Sequence, residues 1–231
     1  MEVSYLPGVK FDFTKGEIDK LSIQTILFDL DGTLIDTNEL IISSFQHTFD
    51  YYDLKFSREE ILHFNGPPLR DTFHAVNPQL ADEMVRVYRE HNIKNHDALV
   101  EAFPGVVDTV AKLYSKGYGL GIVTAKVDRT VDMGLELTGL NKFFNTVITF
   151  NDVTHSKPHP EPVFKAMKEL NANPATTIMI GDNSHDIEAG KNAGIRTAGV
   201  AWSDKGRAFL ESFKPTYMLE TMEDLLDIVG S

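Results

Sequence analysis

Five short runs, apolar at nearly every position, limit most strongly what this chain can fold into. They are Thr25-Ile26-Leu27-Phe28, Gly119-Leu120-Gly121-Ile122-Val123, Val147-Ile148-Thr149, Thr177-Ile178-Met179-Ile180 and Ala198-Gly199-Val200-Ala201. Strands without apolar/polar alternation are buried on both faces, as in parallel sheets covered by helices. Helical spacings lie between them. Val107, Val110, Ala111 and Tyr114 share a face before Gly117, and Val131, Leu135 and Leu137 precede Gly139. Val163, Ala166, Met167 and Leu170 follow the start signals Pro160 and Pro162. The alternation predicts an α/β fold with a doubly wound parallel sheet, whose sites form at the carboxyl ends of the strands.

The stretch from about Thr37 to Ala102 breaks that alternation with apolar residues at helical spacings and no convincing strand. It predicts a helical insert after the first strand, with Phe45, Phe49 and Phe73 in its own core. The expected division is an N-terminal extension over 1–22, a core over 23–37 and 103–231, and a helical domain over 38–102.

Composition narrows the function. A formal charge of -12 opposes the basic footprint that nucleic acid requires. A small anionic substrate must then be held by a few local cations and backbone amides together with a metal, rather than by a broad positive field. Cysteine is absent, which excludes thiol catalysis and thiolate metal sites. No run approaches the roughly 18 apolar residues of a membrane span, so a cytoplasmic protein without membrane contacts is expected, as a monomer or weak dimer.

The chemistry-bearing residues follow the strands. In Asp29-Leu30-Asp31-Gly32-Thr33 the two acids, two apart on an extended chain, point the same way. Gly32 permits a tight turn beside an anion. Crowded carboxylates resist joint ionisation, which calls for a shared proton or a bound Mg2+. Thr124-Ala125-Lys126 reads as an anion cradle or as a plain strand end. Lys157, fixed beside Pro158, reads as an anion partner or as part of a surface loop. Asp182 ends a buried run, where an acid needs a metal or strong donors, and Asp186 lies one helical turn on. Together these pieces describe an acid-rich metal site suited to phosphoryl transfer.

In this order, Asp29-x-Asp31-Gly32-Thr33, Thr124, Lys157 and Gly181-Asp182-x-x-x-Asp186 resemble the four motifs of the haloacid dehalogenase superfamily. The resemblance implies Asp29 as nucleophile and Asp31 as acid and base. It implies Mg2+ held by Asp29, Asp31 (through its carbonyl) and Asp182, with Asn183 and Asp186 behind them. Leu30, Thr33, Thr124, Ala125 and Lys157 would bind the transferred phosphoryl group. A helical cap after the first motif is also implied.

Asn38 to Phe45, Asn65 to Phe73 and Ala198 to Trp202 are similar to pyrophosphate-hydrolysing members of that superfamily. Inorganic pyrophosphate is therefore the expected substrate, and Arg70 reads either as a contact of its leaving phosphate, aided by Asn65, or as a solvated or paired surface residue. Phosphoglycolate or another small phosphomonoester is the alternative, followed by a sugar-phosphate mutase and a non-catalytic phosphate-binding module.

Overall fold

The computed structural model describes residues 22–64 and 67–230. The expected N-terminal extension, up to residue 21, and the expected ligand residue Asn65 lie outside them.

The chain enters on strand β1 (Thr25–Phe28) and passes a two-residue strand β2 (Ile35–Asp36). Four helices follow: α1 (Asn38–Tyr51), α2 (Arg58–Leu62), α3 (Leu69–Val76) and α4 (Ala81–Leu99). Strand β3 (Glu101–Ala102) returns antiparallel to β2, pairing Ile35 with Ala102 and Asp36 with Glu101. Helices and strands then alternate: α5 (Val106–Ser115), β4 (Gly119–Val123), α6 (Asp128–Thr138), β5 (Thr146–Ile148), α7 (Glu161–Glu169) and β6 (Thr177–Gly181). The chain closes with α8 (Ser184–Asn192), β7 (Arg196–Val200), α9 (Arg207–Ser212), β8 (Tyr217–Leu219) and α10 (Asp224–Val229).

Six strands form one sheet in the order β5-β4-β1-β6-β7-β8, every neighbouring pair parallel. All four residues of β1 are buried, as are all five of β6, because helices cover both faces. The apolar runs named above therefore became strands for the reason given. β7 starts two residues earlier than its run, at Arg196. The edge strand β8 was not anticipated: its first two residues are only half-buried, which removes the continuous apolar signal.

Register positions the site. Phe28 stands level with Ile122 of β4 and Ile180 of β6. The residues just beyond these three, Asp29, Val123-Thr124 and Gly181-Asp182, consequently emerge together at one sheet edge. This is the place an open parallel sheet offers to a ligand.

Helices α1 to α4 bury their own apolar cluster, including Phe45, Phe49, Phe73, Met84 and Tyr88. Phe45 packs edge-on against Tyr88 with ring centroids 4.9 Å apart. The sheet's two faces bury separate clusters. Among the described residues no helix is long and apolar enough to cross a membrane.

Candidate active site

Asp29 follows β1 directly, and its N–H donates to the Ile180 carbonyl at 2.8 Å, which ties it to β6. The next residues turn sharply: Gly32 adopts φ 76°. A Cβ there would lie 2.6 Å from Asp182 Oδ2, so the turn and the second acid occupy the same space only because residue 32 is glycine. Gly181 works the same way. A Cβ on it would stand 2.2 Å from the Cβ of Asp186. Two glycines thus let Asp182 and Asp186 close on the strand ends.

Lys157 holds this cluster. Its Nζ donates to Asp29 Oδ1 at 2.7 Å, to Asp186 Oδ1 at 2.6 Å and to the Val123 carbonyl at 2.8 Å. All three of its N–H bonds are used. Burial alone would push this lysine's pKa down, but the Asp186 and Asp29 charges hold it above the usual value. The loop supplying Lys157 is anchored in turn by Glu161, whose carboxylate accepts the N–H groups of Thr154 and His155 at 2.9 and 3.0 Å.

Asp29, Asp182 and Asp186 each place a carboxylate oxygen within 4.8 Å of the others. Asp186 Oδ2 also accepts the Asn183 N–H at 3.0 Å. Burial, the nearby Asp186 and Asp31 charges, and an opposing Lys157 leave the Asp29 carboxyl pushed up to about 7. Burial and the charges of Asp186 and Asp29 likewise hold Asp182 well above the carboxylate range. The site therefore carries more negative charge than Lys157 offsets. All-oxygen donors with a charge deficit suit a hard divalent cation such as Mg2+.

Asp31 points elsewhere. Its Oδ1 accepts from Thr37 Oγ1 and from Lys126 Nζ, each at 2.7 Å. Its carboxylate is not part of the acid triplet. Thr124 is buried, and its Oγ1 accepts the Lys126 N–H at 3.1 Å, which fixes the loop after β4.

These groups line one open cleft between the sheet edge and the helical insert. Ala125, Asn183 and the half-buried His185 also border it, while Tyr88, Arg89 and Asn92 of α4 face it from the other side. Burial lowers the His185 pKa. Burial, and next the Asp31 charge, raise that of Tyr88, consistent with its place above Asp31.

The structure brings together Asp29, Asp31, Thr124, Ala125, Lys157, Asp182, Asn183 and Asp186 around this cleft. It does not bring Arg70 there. Arg70 is exposed and donates to Asp82 Oδ1 at 2.7 Å, because residue 70 of α3 faces the first turn of α4 rather than the sheet. Leu30 and Thr33 are fully buried, so neither side chain borders the cleft. Sequence reasoning missed Thr37 and Arg89, and it named Lys126 only within the loop after β4, not as the partner of Asp31. Lys126 adjoins a recognised motif and was within reach, whereas Arg89 sits on a helix whose rotation only packing determines.

The model of the haloacid dehalogenase-like hydrolase family matches residues 26–200. The chain belongs to that family. Within it, the chain is 58% identical over 210 residues to a protein named Pyrophosphatase PpaX from Oceanobacillus iheyensis, covering 91% of this chain and 98% of that one. Its namesake from Anoxybacillus flavithermus is 57% identical over the same shares of both chains. Among solved structures, the haloacid dehalogenase-like family hydrolase SP0104 from Streptococcus pneumoniae superposes with a TM-score of 0.79 at 26% identity, over 89% of this chain and 97% of that one.

Proposed function

We propose that this protein is a magnesium-dependent phosphohydrolase that cleaves inorganic pyrophosphate through an aspartyl-phosphate on Asp29. The observation that carries the reading is identity above half with proteins named pyrophosphatase, over a span that includes both the acid cluster and the helical insert facing it. The boundaries 23–37, 38–102 and 103–231 are proposed as core, cap and core, with the β2–β3 ribbon as the hinge between them.

Phosphoryl transfer is chiefly positioning and charge stabilisation. An Asp29 carboxylate oxygen attacks phosphorus, and the bridging P–O bond breaks with its electron pair leaving on the second phosphate. Asp31, steadied by Thr37 and Lys126, serves the leaving oxygen as acid. It then takes the proton of the water that attacks the aspartyl-phosphate, which restores Asp29 and releases phosphate. Lys157 keeps Asp29 aimed and neutralises Asp186. The Thr124 hydroxyl and the backbone after β4 face the transferred group. Mg2+, held by Asp29, Asp182 and the Asp31 carbonyl, would offset the charge of the carboxylates and the phosphoryl oxygens.

Pyrophosphate differs from a phosphomonoester in that its leaving group is itself an anion. Lys157 and Lys126 are engaged by acids, whereas Arg89 makes no ion pair with any described residue and borders the cleft. Arg89 therefore takes the place at the leaving phosphate that Arg70 was expected to fill. Arg89→Ala should lower kcat/KM for pyrophosphate roughly 10- to 100-fold, the worth of one charge-assisted contact. The rate with p-nitrophenyl phosphate should change less than about threefold, and Arg70→Ala should affect neither. Equal losses on both substrates with Arg89→Ala would remove the residue from that role.

Ile41, Phe45, Phe64 and Leu69 also border the cleft, and this apolar side favours the second reading, a small phosphomonoester with a carbon leaving group. Phosphate release from pyrophosphate, phosphoglycolate, sugar phosphates and p-nitrophenyl phosphate separates the two. Pyrophosphate should give the highest kcat/KM; a phosphomonoester in that position would replace the first reading with the second.

The raised Asp29 carboxyl has a consequence for metal affinity. A carboxyl near 7 must lose its proton before it ligates, so protons compete with the cation below that pH. Apparent Mg2+ affinity should therefore weaken about tenfold or more per pH unit below about 7, with proton release on binding. Calorimetric titration between pH 5.5 and 8 measures both, and a flat affinity would contradict the charge deficit described above.

A further inference from the structure

Among the described residues, one cluster of side chains able to ligate a metal lies outside the cleft and has no part in the chemistry above. His155, His159 and Glu161 each offer a donor atom within 4.8 Å of the others, at the start of α7. His155 Nδ1 lies 2.9 Å from Glu161 Oε2. His159 Nδ1 turns toward the same residue, accepting the Glu161 N–H at 3.2 Å, and the two imidazole rings stand 4.6 Å apart. His155 is well exposed, its side chain 61% accessible, so an ion can enter from solvent.

We propose that His155, His159 and Glu161 form a second cation site, selective for a borderline transition metal such as Zn2+, on the loop that carries Lys157. Two imidazole nitrogens and one carboxylate oxygen are a zinc donor set, with solvent in the fourth position; Mg2+ prefers oxygen alone. The donor set thus separates this site from the all-carboxylate cluster in the cleft.

Pre-organisation supports the assignment. Glu161 does not have to be immobilised by the ion, since two backbone N–H groups already hold its carboxylate. Tetrahedral zinc with bonds of about 2.1 Å separates its donors by about 3.4 Å, so His155 Nδ1 and Glu161 Oε2 need to open only slightly. On binding, His155 would ligate through Nδ1 as the neutral tautomer whose proton sits on Nε2.

The site closes a short chemical ring around Lys157. Residues 155 and 159 flank the lysine in sequence, and Lys157 clamps Asp29 and Asp186. An ion shared by both flanks and the first residue of α7 ties the loop down from outside. Occupancy should raise the thermal stability of the folded chain by mass action.

The test titrates Zn2+ into the full-length protein with Mg2+ in large excess, comparing wild type, His155→Ala/His159→Ala and Asp182→Asn. One Zn2+ per chain is expected, with a Kd in the micromolar range and a raised Tm. Binding should survive in Asp182→Asn and weaken at least about tenfold in the double histidine variant, a loss of one or more strong ligands. Co2+ in place of Zn2+ should give visible absorption bands that the double variant lacks. Circular dichroism and the Tm without Zn2+ establish that each variant is folded. Binding that survives loss of both histidines, disappears in Asp182→Asn, or is weaker than millimolar in wild type overturns the proposal.

Discussion

Asp29→Asn should lower phosphate release from pyrophosphate by at least about 10⁴-fold and leave no acid-stable label on the protein after incubation with labelled substrate. The size follows from removing the attacking group itself, which takes away a transition-state bond rather than a binding contact. The amide keeps the shape of the carboxylate and can still accept from Lys157, so the fold should persist. Thermal denaturation checks that. Activity retained within tenfold of wild type, with the protein folded, would show that another group attacks phosphorus and would remove the proposed mechanism.

Lys157→Met should be the most destabilising single change at the site. The lysine is buried, with 6% of its side chain exposed, and it offsets two carboxylates whose side chains are 10% and 2% exposed. Deleting one partner of a buried ion pair costs about 3–5 kcal/mol, because the remaining charge has lost its solvent and its partner together. At about 2–4 °C per kcal/mol for a chain of this size, the Tm should fall by roughly 6–20 °C without metal. Added Mg2+ should recover part of the loss, since a divalent cation answers the same charge deficit. Activity should fall at least about 10³-fold even where the protein is folded, because Asp29 is no longer aimed. A Tm within about 2 °C of wild type would mean that the acids find other compensation, and the clamp role would be wrong.

Much of the fold was legible because burial on both faces leaves a plain mark. A run such as Thr177 to Ile180 has no polar position to present to water, and only a covered parallel strand accommodates it. Edge strand β8 left no such mark, because one side of it meets solvent. The acids were legible for a related reason: Asp29 and Asp182 each stand at the point where an apolar run ends, where a charge without a task is costly. Lys126, Thr37 and Arg89 were not. Lys126 reaches Asp31 across 95 positions, Thr37 meets it only after the chain has turned back, and Arg89 faces the cleft only through the packing of its helix.

Arg70 and Arg89 show where local reasoning stops. Both are arginines on helices of the insert, and nothing in their neighbouring residues tells which faces the sheet. The packing of α4 around Tyr88 and Asn92 turns Arg89 to the cleft, while α3 commits Arg70 to Asp82. The parallel sheet, the order of the acids along it and the tight turn at Gly32 could be read from the chain alone. Tertiary structure alone decided which cations meet those acids and which insert residues face them. Periodicity and turn chemistry act over a few residues, whereas the pairing of charges depends on how separate elements are rotated and brought together.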